Sequence, residues 1–426
     1  MANIFPFPAL RYNPAIVDAK DVLTQPYDKI TPAMQEQYYA RSPYNLVRAI
    51  LGRTESSDDA NNNVYSRAAE HLKQWQGSEV LTGDEPSIYF CSQEFVAPGE
   101  TETRTRRGFI AAGQLHDYDE RIVFRHEQTL SKPKSDRFYL LRATRMHAGQ
   151  IFMVYSDPSK TVERLLEGKG TPVLDVVDDY GVRNRLWRIS DAKTIATAQS
   201  AMEDKKLIIA DGHHRYETAL NYRNERRAAA GKRDPNASYE RVMMTFVNSE
   251  DPGLVILPTH RVVHGLRNFS SADLVKSIEP LFTVTKIDAA DPVHALAADQ
   301  HEARFLAVTK ESAFLLRSRP EISKRLSTFS TAQRGLDVLV LHKILLEGVL
   351  GMTEESIRNQ ENIQYFRDAG EAMARVRSGE AQIAFLINPV RIEQMSAVAL
   401  AGEVMPQKST DFYPKFLSGM TFYSVE

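Results

Sequence analysis

The chain has 426 residues, 42% hydrophobic and 25% charged, with 53 Lys and Arg against 55 Asp and Glu and a formal net charge of -2. This is a globular composition too long for one small core, so two or three subdomains are expected. The near-neutral charge lacks the basic excess that non-specific nucleic-acid binding requires. The one cysteine, Cys91, excludes an internal disulfide and a Cys-based zinc site and fits a reducing cytosol.

Residues 1–10 lack the basic-then-apolar layout of a secretion signal. Residues 1–50 are rich in proline and aromatics, with turn signatures at Gln25-Pro26-Tyr27-Asp28 and Ser42-Pro43-Tyr44-Asn45. Proline fixes φ and disfavours helix before it, which predicts ordered loops or strand ends. Over 61–76, Val64, Ala68, Leu72 and Trp75 share one helical face. Segments 86–95 and 105–115 read as a hairpin joined by a polar loop with Pro98 and Gly99. Residues 126–146 begin as a polar loop and end as a helix. Strands are expected over 151–155 and 186–189, and Ser190-Asp191 caps a helix running to Met202.

Residues 206–210 form a short apolar strand that Asp211-Gly212 breaks, and 213–230 reads as a long helix closed by Gly231. A strand over 241–248 and the segment 254–264 lead into a C-terminal third. That third alternates a helix (271–281), strands (304–308 and 313–317), a helix (336–350) and a strand (382–388). The stretch 336–352 carries Asp337, His342, Lys343 and Glu347, which marks a buried helix; a membrane span needs ~20 mostly apolar residues. Uniform βα alternation is missing, so the fold class is α+β, with mixed sheets and packed helices. The expected division is a main domain over 1–265 and a C-terminal subdomain over 266–426 that returns the Lys408-Ser409-Thr410 loop towards the main site.

The sharpest segment is Ile208-Ile209-Ala210-Asp211-Gly212-His213-His214-Arg215. A strand feeds a helix through glycine, which lets backbone come close to a ligand. A helix N-terminus bears roughly half a positive charge, so the cation-forming His213, His214 and Arg215 are unfavourable there by about 0.3–1 kcal/mol each. A bound anion reverses that sign, because backbone N–H groups and Arg215 then face negative charge. Asp211 is placed to cap the helix, hold a histidine or coordinate a metal. The plainer alternative is a capped helix whose histidines bond to neighbours.

A second candidate is Arg125-His126-Glu127-Gln128-Thr129, followed by Lys132, Lys134 and Arg137. Residues 101–145 hold ten Lys and Arg against six Asp and Glu, and a cationic loop with His126 and Glu127 suits phosphate binding beside a general acid or base. A third is Lys408-Ser409-Thr410, followed closely by Lys415; it lacks the glycine prefix of a P-loop, but lysines around hydroxyls hold phosphate as point charges. Asp28 presents a carboxylate on a rigid turn, for which turn formation is explanation enough. His260 and His264 read as strand residues, given Val262-Val263 between them. No dinucleotide-binding glycine motif, nucleophile elbow or kinase-type glycine loop is found.

Taken in order, Gln25-Pro26-Tyr27-Asp28, Arg125-His126-Glu127-Gln128-Thr129, Asp211-Gly212-His213-His214-Arg215, Pro258-Thr259-His260-Arg261 and Met405-Pro406-Gln407-Lys408-Ser409-Thr410 resemble the bacterial family catalogued as domain of unknown function 1015. The resemblance runs nearly end to end, with one departure: Gln128 stands where many relatives carry a second histidine. More locally, the Asp211–Arg215 segment is similar to the Asp-Gly-His-Thr-Arg segment of free-serine kinases. It is also similar to the nucleotide loop of the ParB and sulfiredoxin superfamily, which implies a strand-turn-helix element of that kind in the central region.

That likeness implies that Gly212, His213, His214 and Arg215 bind the phosphates of ATP or ADP, with Mg2+, while Asp211 orients a histidine or metal and Glu127 or Asp28 moves the proton. The implied activity is phosphoryl transfer to a small hydroxylated metabolite such as serine, or from phosphoserine. The alternatives are a metal-assisted phosphatase with Asp211, His213 and His214 as ligands, and a non-catalytic nucleotide sensor or ParB-like DNA binder. The neutral charge weighs against DNA. A phosphorylated small molecule is the expected partner, no membrane is involved, and a homo-oligomer is compatible with the sequence.

Overall fold

The structure is a computed structural model, and it describes residues 1–127, 132–168, 170–288, 293–296 and 302–426. The fold is α+β with mixed sheets and packed helices. The chain divides into two compact units. The first comprises Met1–Arg125, Thr129–Val255 and Pro414–Glu426, and the second His126–Gln128 and Ile256–Tyr413. The last strand, Tyr423–Ser424, pairs with Met146–His147 within the first unit.

The first unit is built on a nine-stranded mixed sheet. In chain order its strands are β1 (Ile4–Phe5), β2 (Ile88–Val96), β3 (Thr103–Gln114), β4 (Val123–Phe124), β5 (Ile151–Tyr155), β6 (Leu174–Val177), β7 (Arg183–Ile189), β8 (Leu207–Asp211) and β9 (Arg241–Asn248). The spatial order is β4-β8-β5-β9-β3-β2-β7-β6, with β1 on β3. The expected hairpin is β2–β3, antiparallel with Tyr89 opposite Ile110 and Val96 opposite Thr103.

Helices complete the unit: α1 (Val64–Gly77), α2 (Lys132–Thr144), α3 (Ala192–Met202) and α4 (His213–Ala230). Asn63 starts α1 with a reciprocal capping box to Ser66, and Asp191 starts α3 by accepting from the Thr194 N–H at 2.8 Å. Phe109, Met153, Tyr155, Ile209 and Phe246 of the sheet pack with Met202 of α3 and Tyr216 of α4 in one core. Each large apolar side chain buried this way contributes about 1.5–3 kcal/mol.

The second unit holds a six-stranded antiparallel sheet of β10 (His260–Val263), β11 (Phe282–Ile287), β12 (Arg304–Thr309), β13 (Ala313–Ser318), β14 (Ile363–Phe366) and β15 (Ile383–Ile387). The order is β11-β13-β12-β15-β10-β14, and Val262, Leu306, Val308, Ala384 and Leu386 form its core with Val376. Where a single α-helix is expected over 336–350, the structure has a short α-helix, Asp337–Val340, and then wider turns over Leu341–Val349. The Leu350 N–H reaches the Leu345 carbonyl at 2.9 Å, one residue beyond α-helical spacing. Such widening is local and frequent at functional positions. Among the described residues no helix is long and apolar enough to cross a membrane.

Candidate active site at the start of helix α4

Strand β8 runs antiparallel to β5, but its register slips before its end: Ile209 faces Met153 and Asp211 faces Phe152, with Ala210 between them. A bulge of this kind re-aims the side chain that follows. Asp211 therefore remains a strand residue and does not cap the helix, as its sequence position allows. Gly212 is the cap residue, with φ +93°, and no side-chain hydrogen bond caps α4 among the described residues. Glycine is needed twice over. The backbone is left-handed, and a Cβ here would stand 3.1 Å from the Cζ, Nε and Nη2 atoms of Arg215.

Arg215 thus folds back over the turn. Its Nη2 donates to Asp211 Oδ2 at 3.1 Å and its Nη1 donates to the Gln150 carbonyl. These bonds use only part of the guanidinium's donors. Lys415 Nζ lies 3.8 Å from the other carboxylate oxygen. Burial pushes the Asp211 carboxyl up, but Lys415, Arg215, Lys29 and His213 outweigh it and hold the group well below the usual carboxylate range. His213 and His214 open α4, both partly buried. Three permanent cations, Lys415, Arg215 and Lys29, therefore act on the Asp211 carboxylate.

Lys415 is held in place by the sheet. Fully buried Arg106 of β3 donates to the Pro414 carbonyl at 2.6 Å and to Gln93 Oε1, and lies against the rings of Phe152 and Phe416 at 5.0 and 4.4 Å. Gln93 in turn donates to the Lys415 carbonyl at 3.1 Å. Burial lowers the Arg106 guanidinium to about 9.

A solvent-open cavity of about 80 Å³ adjoins Arg215. Its lining includes Pro26 and Tyr27 of the N-terminal turn, Arg137 of α2, and Ser418. Asp28, next to Tyr27, is exposed, whereas Lys29 faces the field of Asp211.

The second and third sequence candidates meet in the second unit. Fully buried His126 brings Nε2 to 2.7 Å from Thr410 Oγ1, and Glu127 Oε1 accepts the N–H groups of Ser409 at 3.0 Å and Thr410 at 3.4 Å. Lys408 takes a left-handed φ of +58°, which turns those two N–H groups towards one acceptor. The Ser409 hydroxyl donates to the Pro406 carbonyl at 2.5 Å. Buried Arg261 donates to the Lys408 carbonyl at 3.0 Å, and nearby His342 is held well below the usual imidazole range by burial, Arg261 and Lys343. The backbone donors of the Lys408-Ser409-Thr410 loop thus meet a protein carboxylate. Gln128 and Thr129 lie outside the described residues, as do the side chains of Lys132 and Lys134.

Sequence reasoning passed over Tyr27, Lys29, Gln150 and Ser418, whose signal is proximity in space alone. No three His, Cys, Asp or Glu side chains gather to hold a metal ion among the described residues, so Asp211, His213 and His214 do not form the ligand set that the phosphatase alternative requires.

No curated protein matches the chain. Among solved structures, a conserved hypothetical protein from Pyrococcus furiosus is similar at 14% identity and TM-score 0.34, covering 70% of this chain and 90% of that one. A free serine kinase in complex with AMP is similar at 14% identity and TM-score 0.34, covering 70% and 89%. SbnI with a C-terminal truncation, from Staphylococcus aureus, is similar at 10% identity and TM-score 0.36, covering 72% and 85%. Residues 4–339 match the family described as "Protein of unknown function (DUF1015)", and the chain belongs to that family.

Proposed function

We propose that the protein is a nucleotide-dependent phosphotransfer enzyme acting on a small hydroxylated metabolite, with serine or phosphoserine as the first to test. The observation that carries this is the cluster of cations where α4 begins. Arg215, Lys415 and Lys29 act on the Asp211 carboxylate, beside an open cavity. An anionic guest meets these cations together with the helix N-terminus. Phosphoryl transfer asks chiefly for positioning and charge neutralisation, which this set of residues supplies.

Arg215 and Lys415 bind and orient the phosphates, Gly212 admits them close to the backbone, and His213 and His214 flank them. A magnesium ion takes one or two carboxylates together with phosphates and water, and Asp211 is the residue we assign to it. The bound nucleotide supplies the phosphoryl group. We assign proton removal from the metabolite hydroxyl to Asp28 in preference to Glu127, because Pro26 and Tyr27 beside Asp28 line the cavity and an oxygen of Glu127 already accepts the Ser409 N–H.

The test is titration calorimetry with ADP on the wild type and Arg215→Ala, joined to an assay for labelled phosphate transferred from ATP to serine. ADP binding lost in the variant supports the site; binding unchanged by the substitution removes it. Binding without transfer to serine or any other hydroxylated metabolite removes the catalytic half of the reading.

A further inference from the structure

The charge at α4 concerns the phosphate end of the ligand; the cavity beside it bears on the other end, by an inference that rests on that reading. Most of the wall is aliphatic, with Ile50, Leu72, Leu140 and Leu141, and one side is the ring of Tyr27. The Arg137 guanidinium, also on the lining, lies 4.2 Å from the centroid of that ring, held by a bond to the Ile50 carbonyl at 2.6 Å and by Asp136. The Tyr27 ring is thus held in place by a fixed cation.

Thr218, three residues after Arg215 on α4, lines the same cavity and is 4% exposed. Its hydroxyl has no hydrogen-bond partner among the described residues. A buried hydroxyl left unmet is uncommon in folded proteins and calls for an explanation. The other polar groups of the wall are differently placed: the Thr144 hydroxyl donates to the Leu140 carbonyl at 2.8 Å, and the His147 ring stacks on Tyr423.

We infer that this cavity receives the heteroaromatic base of the nucleotide, flat against Tyr27, with the Thr218 hydroxyl bonding to a nitrogen on the ring's edge. A planar base has two apolar faces and a polar rim, matching a mostly apolar wall that carries the unmet Thr218 hydroxyl. A sugar or amino acid would bring several polar groups that the aliphatic wall cannot pair. Arg215, on the lining and at the start of α4, sets the direction: phosphates at the helix end, base towards Thr218.

The experiment is calorimetry of ADP, adenosine and inorganic pyrophosphate on the wild type, Thr218→Val and Tyr27→Leu. Thr218→Val keeps the shape and removes the hydroxyl; Tyr27→Leu removes the flat face. Each should weaken ADP and adenosine by about tenfold while pyrophosphate changes less than about twofold. Should Thr218→Val lose its fold, as read by its melting curve, Tyr27→Leu carries the test. If both variants bind ADP like the wild type, or if pyrophosphate falls in parallel with ADP, the base lies elsewhere and the anion site stands. If the wild type binds neither ADP nor pyrophosphate, the phosphate reading fails and this inference fails with it.

Discussion

Arg215 donates to Asp211 at 3.1 Å across the glycine that joins strand to helix, so the protein's own carboxylate faces the cations to which a phosphate would bind. The pair is i, i+4 in sequence yet spans two kinds of secondary structure, which only the left-handed Gly212 permits.

Asp211→Asn tests that relationship through pH. A carboxyl held low in the folded state contributes stability above its unfolded value of about 3.9, and that contribution is lost as pH falls through the folded value. The substitution should cost about 1–3 kcal/mol at neutral pH. The gap to wild type should narrow once pH drops below about 4. Urea titrations across that range measure it, and a gap independent of pH would contradict the pairing. Without magnesium, pyrophosphate should bind the variant more tightly, because Arg215 and Lys415 lose their counter-ion.

Gly212→Ala should be costly on two counts. The left-handed backbone penalises a Cβ by about 1–2 kcal/mol, and the new carbon presses on the Arg215 guanidinium at 3.1 Å. A lower melting temperature should accompany weaker ADP binding. A variant that melts earlier but binds normally would separate the glycine from the site.

Arg106 has no equivalent substitute. Arg106→Lys offers a single ammonium where the structure uses a planar fork for the Pro414 carbonyl and Gln93. Both Arg106→Lys and Arg106→Met should lose about 2–4 kcal/mol, since acceptors are left buried and unmet. Limited proteolysis should then cut within residues 414–426, which the wild type protects.

His147 makes stability pH-dependent in the opposite manner to a surface histidine. Burial, aided by Arg215, lowers it to about 4, below the unfolded value of about 6.5. Between those values the unfolded chain binds the extra proton, so stability is full above about pH 6.5 and declines towards pH 4 by up to ~1.4 kcal/mol per pH unit. His260 of β10, likewise lowered to about 4 by burial and Arg261, adds its own decline in the second unit. His147→Gln should flatten the slope for the first unit, as read by urea midpoints from pH 4 to 7. An unchanged slope would show that the imidazole is protonated in the fold.

Glu127 and Asp28 should behave differently. Glu127→Ala removes the acceptor of the Ser409 and Thr410 N–H groups and should destabilise by about 1–3 kcal/mol. Asp28→Asn, at an exposed turn, should leave the melting temperature unchanged and lower kcat by about a hundredfold or more. The reverse outcome would move the proton-accepting role to Glu127.

The local part of this structure is readable from sequence because it depends on near neighbours. The β2–β3 hairpin, α3 with its Asp191 cap, and the passage from β8 through Gly212 into α4 follow from alternation, capping and glycine. The helix expected over 336–350 is present, but its widening is something periodicity cannot express: an i→i+5 turn keeps the apolar stripe while changing the backbone bonds, as at Leu345 and Leu350. Nor does sequence tell which anion satisfies a turn. Lys408-Ser409-Thr410 has the donors of a phosphate site, but Glu127, far away in the chain, supplies the acceptor. Lys415 sits a few residues further on, and only the grip of Arg106 and Gln93 shows that its partner is Asp211.

The first unit is interrupted in the chain by most of the second and resumes at Pro414. A ribosome making this protein therefore releases Asp211 and Arg215 long before Lys415, and until then their carboxylate and guanidinium lack a member of the group that surrounds them. Synthesis completes the nine-stranded sheet at Asn248 but leaves Met146–His147 without its partner strand while the second unit is threaded out, a delay in which an exposed strand is prone to misassociate. Completion of the charge cluster therefore waits for the segment that follows the second unit.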